Sequence, residues 1–265
     1  NEYTGIARRQ RPMCIRFENC ENIEARDQLW TGAWGWFSHF KNCKGIYLTG
    51  LRVLNKRQDG FNIESSQNIR VSDCHLDCGD DAFAFTTSHA SKPIKNVVIV
   101  NCYIKTRWAG VRFGPLGKGD FENVLISNCT FENCNGGGIK FDPLEGGEVR
   151  NCIFSDIVMD GVTAPIVMVT ARWPDIGSTV EDRPLMPPGK ISNIQFNNMI
   201  IKSKGAGPKP DGGSVIYLHG YKGAPIRNIT FSNIDVVFPG GGTTEDAARR
   251  NLMDSCDMDW NKYGY

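Results

Sequence analysis

Asn68-Ile-Arg-Val-Ser-Asp-Cys-His-Leu76 is followed by Asn96-Val-Val-Ile-Val-Asn-Cys-Tyr-Ile104 and then by Asn123-Val-Leu-Ile-Ser-Asn-Cys-Thr-Phe131. The shared unit reads Asn, apolar, any, apolar, any, Asn or Asp, a small or sulfur residue, any, apolar. Asn193-Ile-Gln-Phe-Asn-Asn-Met-Ile-Ile201 and Asn228-Ile-Thr-Phe-Ser-Asn-Ile-Asp-Val236 repeat it, with degenerate copies from Asn22 and Gly45 and a shortened one around Cys152. On this alignment the seventh position falls at 28, 51, 74, 102, 129, 152, 199 and 234, and the first five intervals are 23, 23, 28, 27 and 23 residues. Self-similarity at a period of this length is the mark of a solenoid. The 47-residue interval has room for two coils, with Ala164-Pro-Ile-Val-Met-Val-Thr170 as the strand between them.

Within each unit apolar and polar residues alternate with period two, so the units are strands, and no segment sustains the 3.6-residue period of a helix. Parallel strands wound one above another at roughly 4.8 Å per rung satisfy the pattern. Asn at the bends bonds to its own ladder and to local backbone. The expected fold is all-β, a right-handed parallel β-helix. A β-sandwich needs turn signals every ~8–12 residues, and the longer period argues against it.

Composition bounds the rest. The chain has 265 residues and no compositional break, which predicts a single β-helix domain over 1–265. Its net charge is +1, from 30 basic and 29 acidic residues, without the basic stripe that nucleic-acid binding needs. No stretch approaches the ~18 apolar residues of a membrane span. The chain opens Asn1-Glu-Tyr-Thr-Gly5 without a signal-peptide pattern and shows no obvious solenoid caps, so it reads as a mature protein or a fragment lacking terminal segments. A monomer is expected.

The ten cysteines fall largely on repeat positions. Cys74, Cys102, Cys129 and Cys152 share the seventh position, and Cys20 and Cys43 share another that Ser66 continues. Residues at one repeat position stack along the axis, so the ladder members are expected to be buried free thiols acting as small apolar filler. Cys14, Cys78, Cys134 and Cys256 stay open between thiol and disulfide. Cys74-x3-Cys78 and Cys129-x4-Cys134 lack the paired His or Cys of a metal site, and neither a metal nor a cofactor is expected.

Asp59 and Asp80 lie 21 residues apart, close to one rung, so they belong on adjacent coils at about the same azimuth. Asp81 follows directly, and Gly79 permits the kink that turns both Asp80 and Asp81 outward. Three carboxylates crowded on one face repel, which raises the pKa of at least one. Acid/base cleavage of a glycosidic bond needs such a set: one protonated carboxyl for the leaving oxygen and one ionised to activate water. Turn formation or binding of a cation such as calcium reads equally well from the spacing alone.

Gln58-Asp59-Gly60-Phe-Asn-Ile-Glu-Ser65, then Asn68-Ile-Arg-Val71 and Gly79-Asp80-Asp81-Ala-Phe-Ala84, resemble the signature of polygalacturonases, glycoside hydrolase family 28: Asn-Thr-Asp-Gly, a strand, then Gly-Asp-Asp. Arg11-Pro12-Met-Cys-Ile-Arg-Phe-Glu-Asn19 and Trp36-Phe-Ser-His39 are similar to the family's earlier rungs. Ala224-Pro-Ile-Arg-Asn-Ile-Thr-Phe-Ser-Asn233 and Pro239-Gly-Gly-Gly-Thr-Thr-Glu245 are similar to late rungs of bacterial members. The resemblance implies a right-handed parallel β-helix, a secreted or periplasmic location, a pectin-like or other plant cell-wall polysaccharide as substrate, and hydrolysis with inversion. It makes Asp80 the general acid and gives Asp59 and Asp81 the water. Inversion calls for carboxyls ~6.5–9.5 Å apart.

The departures are specific. Where the family has Gly-His-Gly this chain has Trp108-Ala109-Gly110, and where it has Arg-Ile-Lys this chain has Gly138-Ile139-Lys140. Arg57-Gln58 replaces Asn-Thr. The family's His and Arg are thus missing, and Arg107, Arg112 and Lys140 are the cations placed to supply charge for a sugar carboxylate. Trp108 is a candidate stacking platform, and His39 occupies the family's Trp-x-x-His position, as substrate contact or structural histidine. His89 and His219 are further imidazoles that nothing in the sequence selects, and Asp142 and Glu145 are substrate contacts or turn caps. The Pro-rich stretch from Trp173 to Gly189 is expected to be a loop rather than strand. Two other functions stay open: a calcium-dependent β-helix lyase with Arg or Lys as base, and a catalytically silent carbohydrate-binding relative.

Overall fold

The computed structural model describes residues 15–33, 35–172, 185–205 and 215–239, and these are all strand and connection. The first coils carry three strands each: β1 (Ile15–Glu18), β2 (Glu21–Arg26), β3 (Leu29–Thr31); β4 (Ser38–Lys41), β5 (Lys44–Thr49), β6 (Arg52–Asn55); β7 (Phe61–Glu64), β8 (Gln67–Ser72), β9 (His75–Cys78); β10 (Phe83–Thr87), β11 (Ile94–Val100), β12 (Tyr103–Thr106). Later coils carry two: β13 (Ala109–Gly117) and β14 (Phe121–Glu132); β15 (Gly137–Phe141) and β16 (Glu148–Val162); β17 (Ile166–Val169) and β18 (Lys190–Ser203); β19 (Ile216–His219) and β20 (Arg227–Val237). Strands β1, β4, β7, β10, β13, β15, β17 and β19 form one parallel sheet, here the front sheet. The remaining strands form the back of the coil, where β14 pairs through its first half with β11 and through its second half with β12. Every interstrand pairing of these strands is parallel, each joined through the rest of a coil, and such crossovers are right-handed. The fold is a right-handed parallel β-helix, as the repeat predicts.

The repeat positions have physical roles. The first Asn of each unit sits in left-handed backbone: φ is 56° at Asn68, 58° at Asn96, 59° at Asn123, 56° at Asn151, 57° at Asn193 and 54° at Asn228. Their amides form a ladder, Asn96 Nδ2 donating to Asn68 Oδ1 at 3.0 Å, Asn123 to Asn96 at 3.1 Å, and so on to Asn228 and Asn193 at 2.9 Å. The sixth position builds a second ladder, with Asn101 donating to Asp73 at 3.1 Å and Asn128 to Asn101 at 2.8 Å. Inside the coil, rings stack rung on rung: Phe85 on Phe113 at 5.1 Å, Phe113 on Phe141 at 5.2 Å, Phe154 on Phe196 at 5.1 Å.

Two details of the alignment are corrected. The unit containing Cys152 is complete and begins at Asn151, so Cys152 pairs with Val124 and Ile157 takes the seventh position opposite Cys129. The segment between β16 and β18 is one long coil rather than two, because β16 pairs directly with β18 and its front strand β17 lies between β15 and β19. The thiols of Cys20, Cys43, Cys74, Cys102, Cys129 and Cys152 are free, as expected of ladder filler, and Cys78 and Cys134, open in the sequence, are free as well. Cys14, Cys256, Trp34, most of the Pro-rich loop and most of Pro239–Glu245 lie outside the described residues.

Candidate active site

The front sheet departs from ordinary alternation. Its outward column, in register, is His39, Asn62, Ala84, Arg112, Lys140, Val167 and Tyr217. On the back of the coil outward residues such as Tyr47 and Ile153 are exposed, but here Asn62, Lys140 and Val167 are buried, Lys140 completely. Neighbouring groups therefore shield this column from solvent.

Asp59 and Asp81 enter the front sheet at its leading edge, where Gly60 N donates to Asp81 O at 3.0 Å and Phe61 N to Ala82 O at 2.9 Å. Asp80 sits one residue earlier in the turn after β9. Gly79 is there because of close approach: a Cβ would lie 2.3 Å from Lys56 O on the preceding rung. The three carboxylates meet as the spacing predicts, each offering an oxygen within 4.8 Å of the others. Asp59 and Asp81 are each 5% exposed and Asp80 is half-buried. Asn62 Nδ2 donates to Asp59 Oδ2 at 2.8 Å, and the Ala109 amide donates to Asp81 Oδ1 at 3.1 Å. Burial, then the charges of Asp81 and Asp80, push Asp59 well above the usual carboxylate range. Burial raises Asp81 to about 7 against the opposing charges of Arg112 and Lys140 and with the help of Asp80.

The basic residues are held more tightly than the sequence suggests. Arg112 grips Asp142 through Nη2 at 2.6 Å and Nε at 3.2 Å, and its Nη1 stands 3.8 Å from Asp81. Asp142 is therefore the partner of Arg112, and Glu145 accepts from the Gly117 amide at 3.2 Å. Lys140 lies beneath Trp108, its Nζ 5.5 Å from the ring centre, a cation–π arrangement. The half-exposed Trp108 ring rests on Gly136, where a Cβ would come within 2.6 Å of it. Arg107 is exposed in the turn after β12, its amide bonded to Cys78 O at 3.2 Å. His39 lies two rungs before the Asp81 rung, with Nε2 3.0 Å from Glu64 and its ring 5.4 Å from Trp36. Burial opposes ionisation of Glu64, but His39, Ser88 and Lys41 together bring its pKa down to about 2. Trp30 is core filler, stacked on Phe37 at 5.4 Å. His89 lies in an exposed turn, and His219 ends β19.

Sequence reasoning passed over Asn62, Asn55 and Glu64. Asn55 Nδ2 donates to Asp59 O at 2.8 Å and Gly35 O at 3.0 Å, tying the Asp59 backbone to two coils. A polar residue in the middle of the Phe61–Glu64 strand was the available signal for Asn62. Asn55 had none, because Asn at a strand end is also ordinary turn chemistry.

The family model for glycosyl hydrolases family 28 matches residues 4–256. Among curated proteins the chain is 26% identical over 203 residues to a protein of Arabidopsis thaliana named as a probable polygalacturonase, covering 73% of this chain and 43% of that one. It is 24% identical over 236 residues to polygalacturonase QRT2 of the same plant, covering 85% and 50%. The chain thus spans half the length, or less, of these relatives. Among solved structures it is similar to an endo-xylogalacturonan hydrolase from Aspergillus tubingensis, with a TM-score of 0.61 at 17% identity over 86% of this chain and 62% of that one. It is also similar to an exopolygalacturonase from Thermotoga maritima, with a TM-score of 0.57 at 15% identity over 76% and 50%. At these identities the solved structures speak for the fold alone, and both match the β-helix described above. With the family model spanning nearly its whole length, the chain belongs to glycosyl hydrolases family 28.

Proposed function

We propose that this protein hydrolyses the glycosidic bonds of a pectin-like plant cell-wall polysaccharide by inverting acid/base catalysis. The observation that carries the reading is the cluster of Asp59, Asp80 and Asp81, with oxygens within 4.8 Å on adjacent rungs of a covered front sheet. Asp80, the most exposed of the three, protonates the leaving oxygen. Asp59 and Asp81, fixed by Asn62 and by the Ala109 amide, hold and activate the water. Burial and the neighbouring carboxylates raise Asp59 and bring Asp81 to about 7, so this pair keeps a proton near neutrality; a proton passed from the pair to Asp80 arms the acid and leaves the pair ionised to activate the water.

The nearest oxygens are closer than the ~6.5–9.5 Å that leaves room for an attacking water. Asp80, in a turn and partly exposed, swings toward the sugar as substrate enters and opens that gap. A secreted or periplasmic location goes with a plant cell-wall polymer as substrate, and the protein acts as a monomer. Polygalacturonate and xylogalacturonan are the first substrates to assay, following products by proton NMR. New reducing ends with inverted anomeric configuration are expected; retained configuration rules out inversion, and no new reducing ends on any pectic polymer rules out hydrolysis.

One observation favours a second reading. Three carboxylates this close also fit a calcium ion, as a β-helix lyase would use it. An unsaturated, ultraviolet-absorbing product that disappears with chelator is the outcome that selects the lyase.

A further inference from the structure

Acidic pectic chains carry a carboxylate on each galacturonate unit, and the protein needs cations to meet it. On the floor of the site Arg112 is bound to Asp142 and Lys140 is buried under Trp108. Exposed cations stand instead on the turns to either side of Asp80: Lys56 and Arg57 after β6 on the rung before, and Arg107 after β12 on the rung after. Gly79 N bonds to Asn55 O at 2.7 Å and Arg107 N to Cys78 O at 3.2 Å, so these turns are directly stacked.

Lys56 and Arg57 also line a cavity of about 320 Å³ with Thr31, Gly32, Ala33 and Asn55. Asn55, 1% exposed, is the polar wall nearest Asp59: its Nδ2 holds Asp59 O, while its Oδ1 has no hydrogen-bond partner among the described residues. At Gly32 a Cβ would meet nothing within 4 Å. Lys56 is paired with Asp77 and 61% exposed at its side chain, which leaves further N–H groups for a ligand. Arg57 stands where the family signature has a neutral Asn, so the charge belongs to this chain.

We infer that this cavity is a subsite for a uronic-acid unit of the substrate. Lys56 and Arg57 take the unit's carboxylate, the Arg through its planar fork. The inference rests on the hydrolase reading for its substrate class. It moves carboxylate recognition off the sheet floor and onto the turn ridge.

Calorimetric titration of trigalacturonate into the Asp80→Asn protein, with and without Lys56→Gln and Arg57→Gln, tests it. The fully methyl-esterified trisaccharide is the neutral reference. The double change should weaken the acid ligand at least ~10-fold, the scale of one lost charge-assisted hydrogen bond, and the ester less than ~2-fold on loss of the charge contact alone. Gly32→Asn, which keeps the charges and puts a side chain tolerant of left-handed backbone into the cavity, should weaken both. Unchanged affinity for trigalacturonate in either variant, or no binding of it at all, overturns the subsite. Turnover separates the two readings: hydrolysis of polygalacturonate by the unmodified chain alongside unchanged affinity in the variants removes the subsite and leaves the hydrolase. Absent hydrolysis with affinity lost in both variants keeps the subsite and removes the hydrolase.

Discussion

The two sides of the solenoid obey different rules. On the back, Asn ladders hold each bend, outward residues are exposed, and one rung substitutes for the next. On the front, several outward residues are buried, and some of them are charged or amide-bearing: Asn62 and Lys140 in the column, with Asp59, Asp81 and Asp142 around it. A buried charge is costly unless it is paired or used. The front therefore carries a cost that the back avoids, and the repeat breaks where the chemistry is proposed to lie. Within the front the acids and the bases differ again. The acids crowd one another, and Asp59 and Asp81 hold raised pKa values, while Arg112 is committed to an ion pair.

The largest expected effect tests whether the front is a catalytic surface at all. Asp80→Asn preserves shape in a half-exposed turn and removes the proposed acid. Turnover of a pectic substrate should fall at least ~100-fold, with the melting temperature within about two degrees of the parent. Full activity in that variant would break the comparison, leaving the acidic cluster as a structural or ion-binding feature.

Arg112→Gln asks how tightly the bases are committed. Asp142 is 1% exposed and would keep its charge without its bidentate partner. Breaking one side of a buried pair costs roughly 3–5 kcal/mol, read as a large drop in denaturant midpoint. Adding Asp142→Asn should recover much of that loss, because no uncompensated charge remains. A single variant as stable as the parent would mean that the pair is solvated and the front less closed than described.

Asp81→Asn turns the raised pKa into a stability experiment. Asp81 rises from 3.8 to about 7 on folding, so across that window the folded chain holds a proton that the unfolded chain has released. Stability therefore falls as pH rises through the window, and the loss is complete above it. The Asn variant lacks this penalty. It should melt with the parent near pH 4 and above it at pH 8, by up to about 4 kcal/mol at 1.36 kcal/mol per unit, while its turnover collapses. Parallel pH–stability curves would show that Asp81 is not the group that carries the proton.

What was legible in the sequence followed the same division. Alternation and the Asn period wrote out the back, because a stacked ladder demands the same residue at each rung. Asp59, Asp80 and Asp81 could be brought together because they lie one rung apart in that period. The Arg112–Asp142 bond was not legible: the two are 30 residues apart on adjacent rungs, and nothing in either strand says which charge pairs with which. Burial of Lys140 was not legible either, since it depends on the orientation of the Trp108 ring one coil away. Cys152 matches the seventh-position thiols by residue type, but Asn151 and Asp156 complete the unit around it, so its place was legible in the sequence, and the register with Val124 fixes it.

The smallest expected effect belongs to the back. Asn123 has a φ of 59°, donates to Asn96 at 3.1 Å and accepts from Asn151 at 3.4 Å. Asn123→Ala keeps a Cβ in left-handed backbone, at a cost of about 1–2 kcal/mol, and removes two exposed hydrogen bonds that water largely replaces. Asn123→Gly removes the same bonds without the steric cost. The Ala variant should therefore be the less stable of the two, by roughly 2–4 °C of melting temperature per kcal/mol, and both should turn over substrate at the parent rate. Equal stability for Ala and Gly would assign the ladder's value to its amide bonds rather than to the backbone conformation Asn tolerates. A change in turnover would mean that the two sides of the solenoid are coupled, and that the back does more than hold the rungs in register.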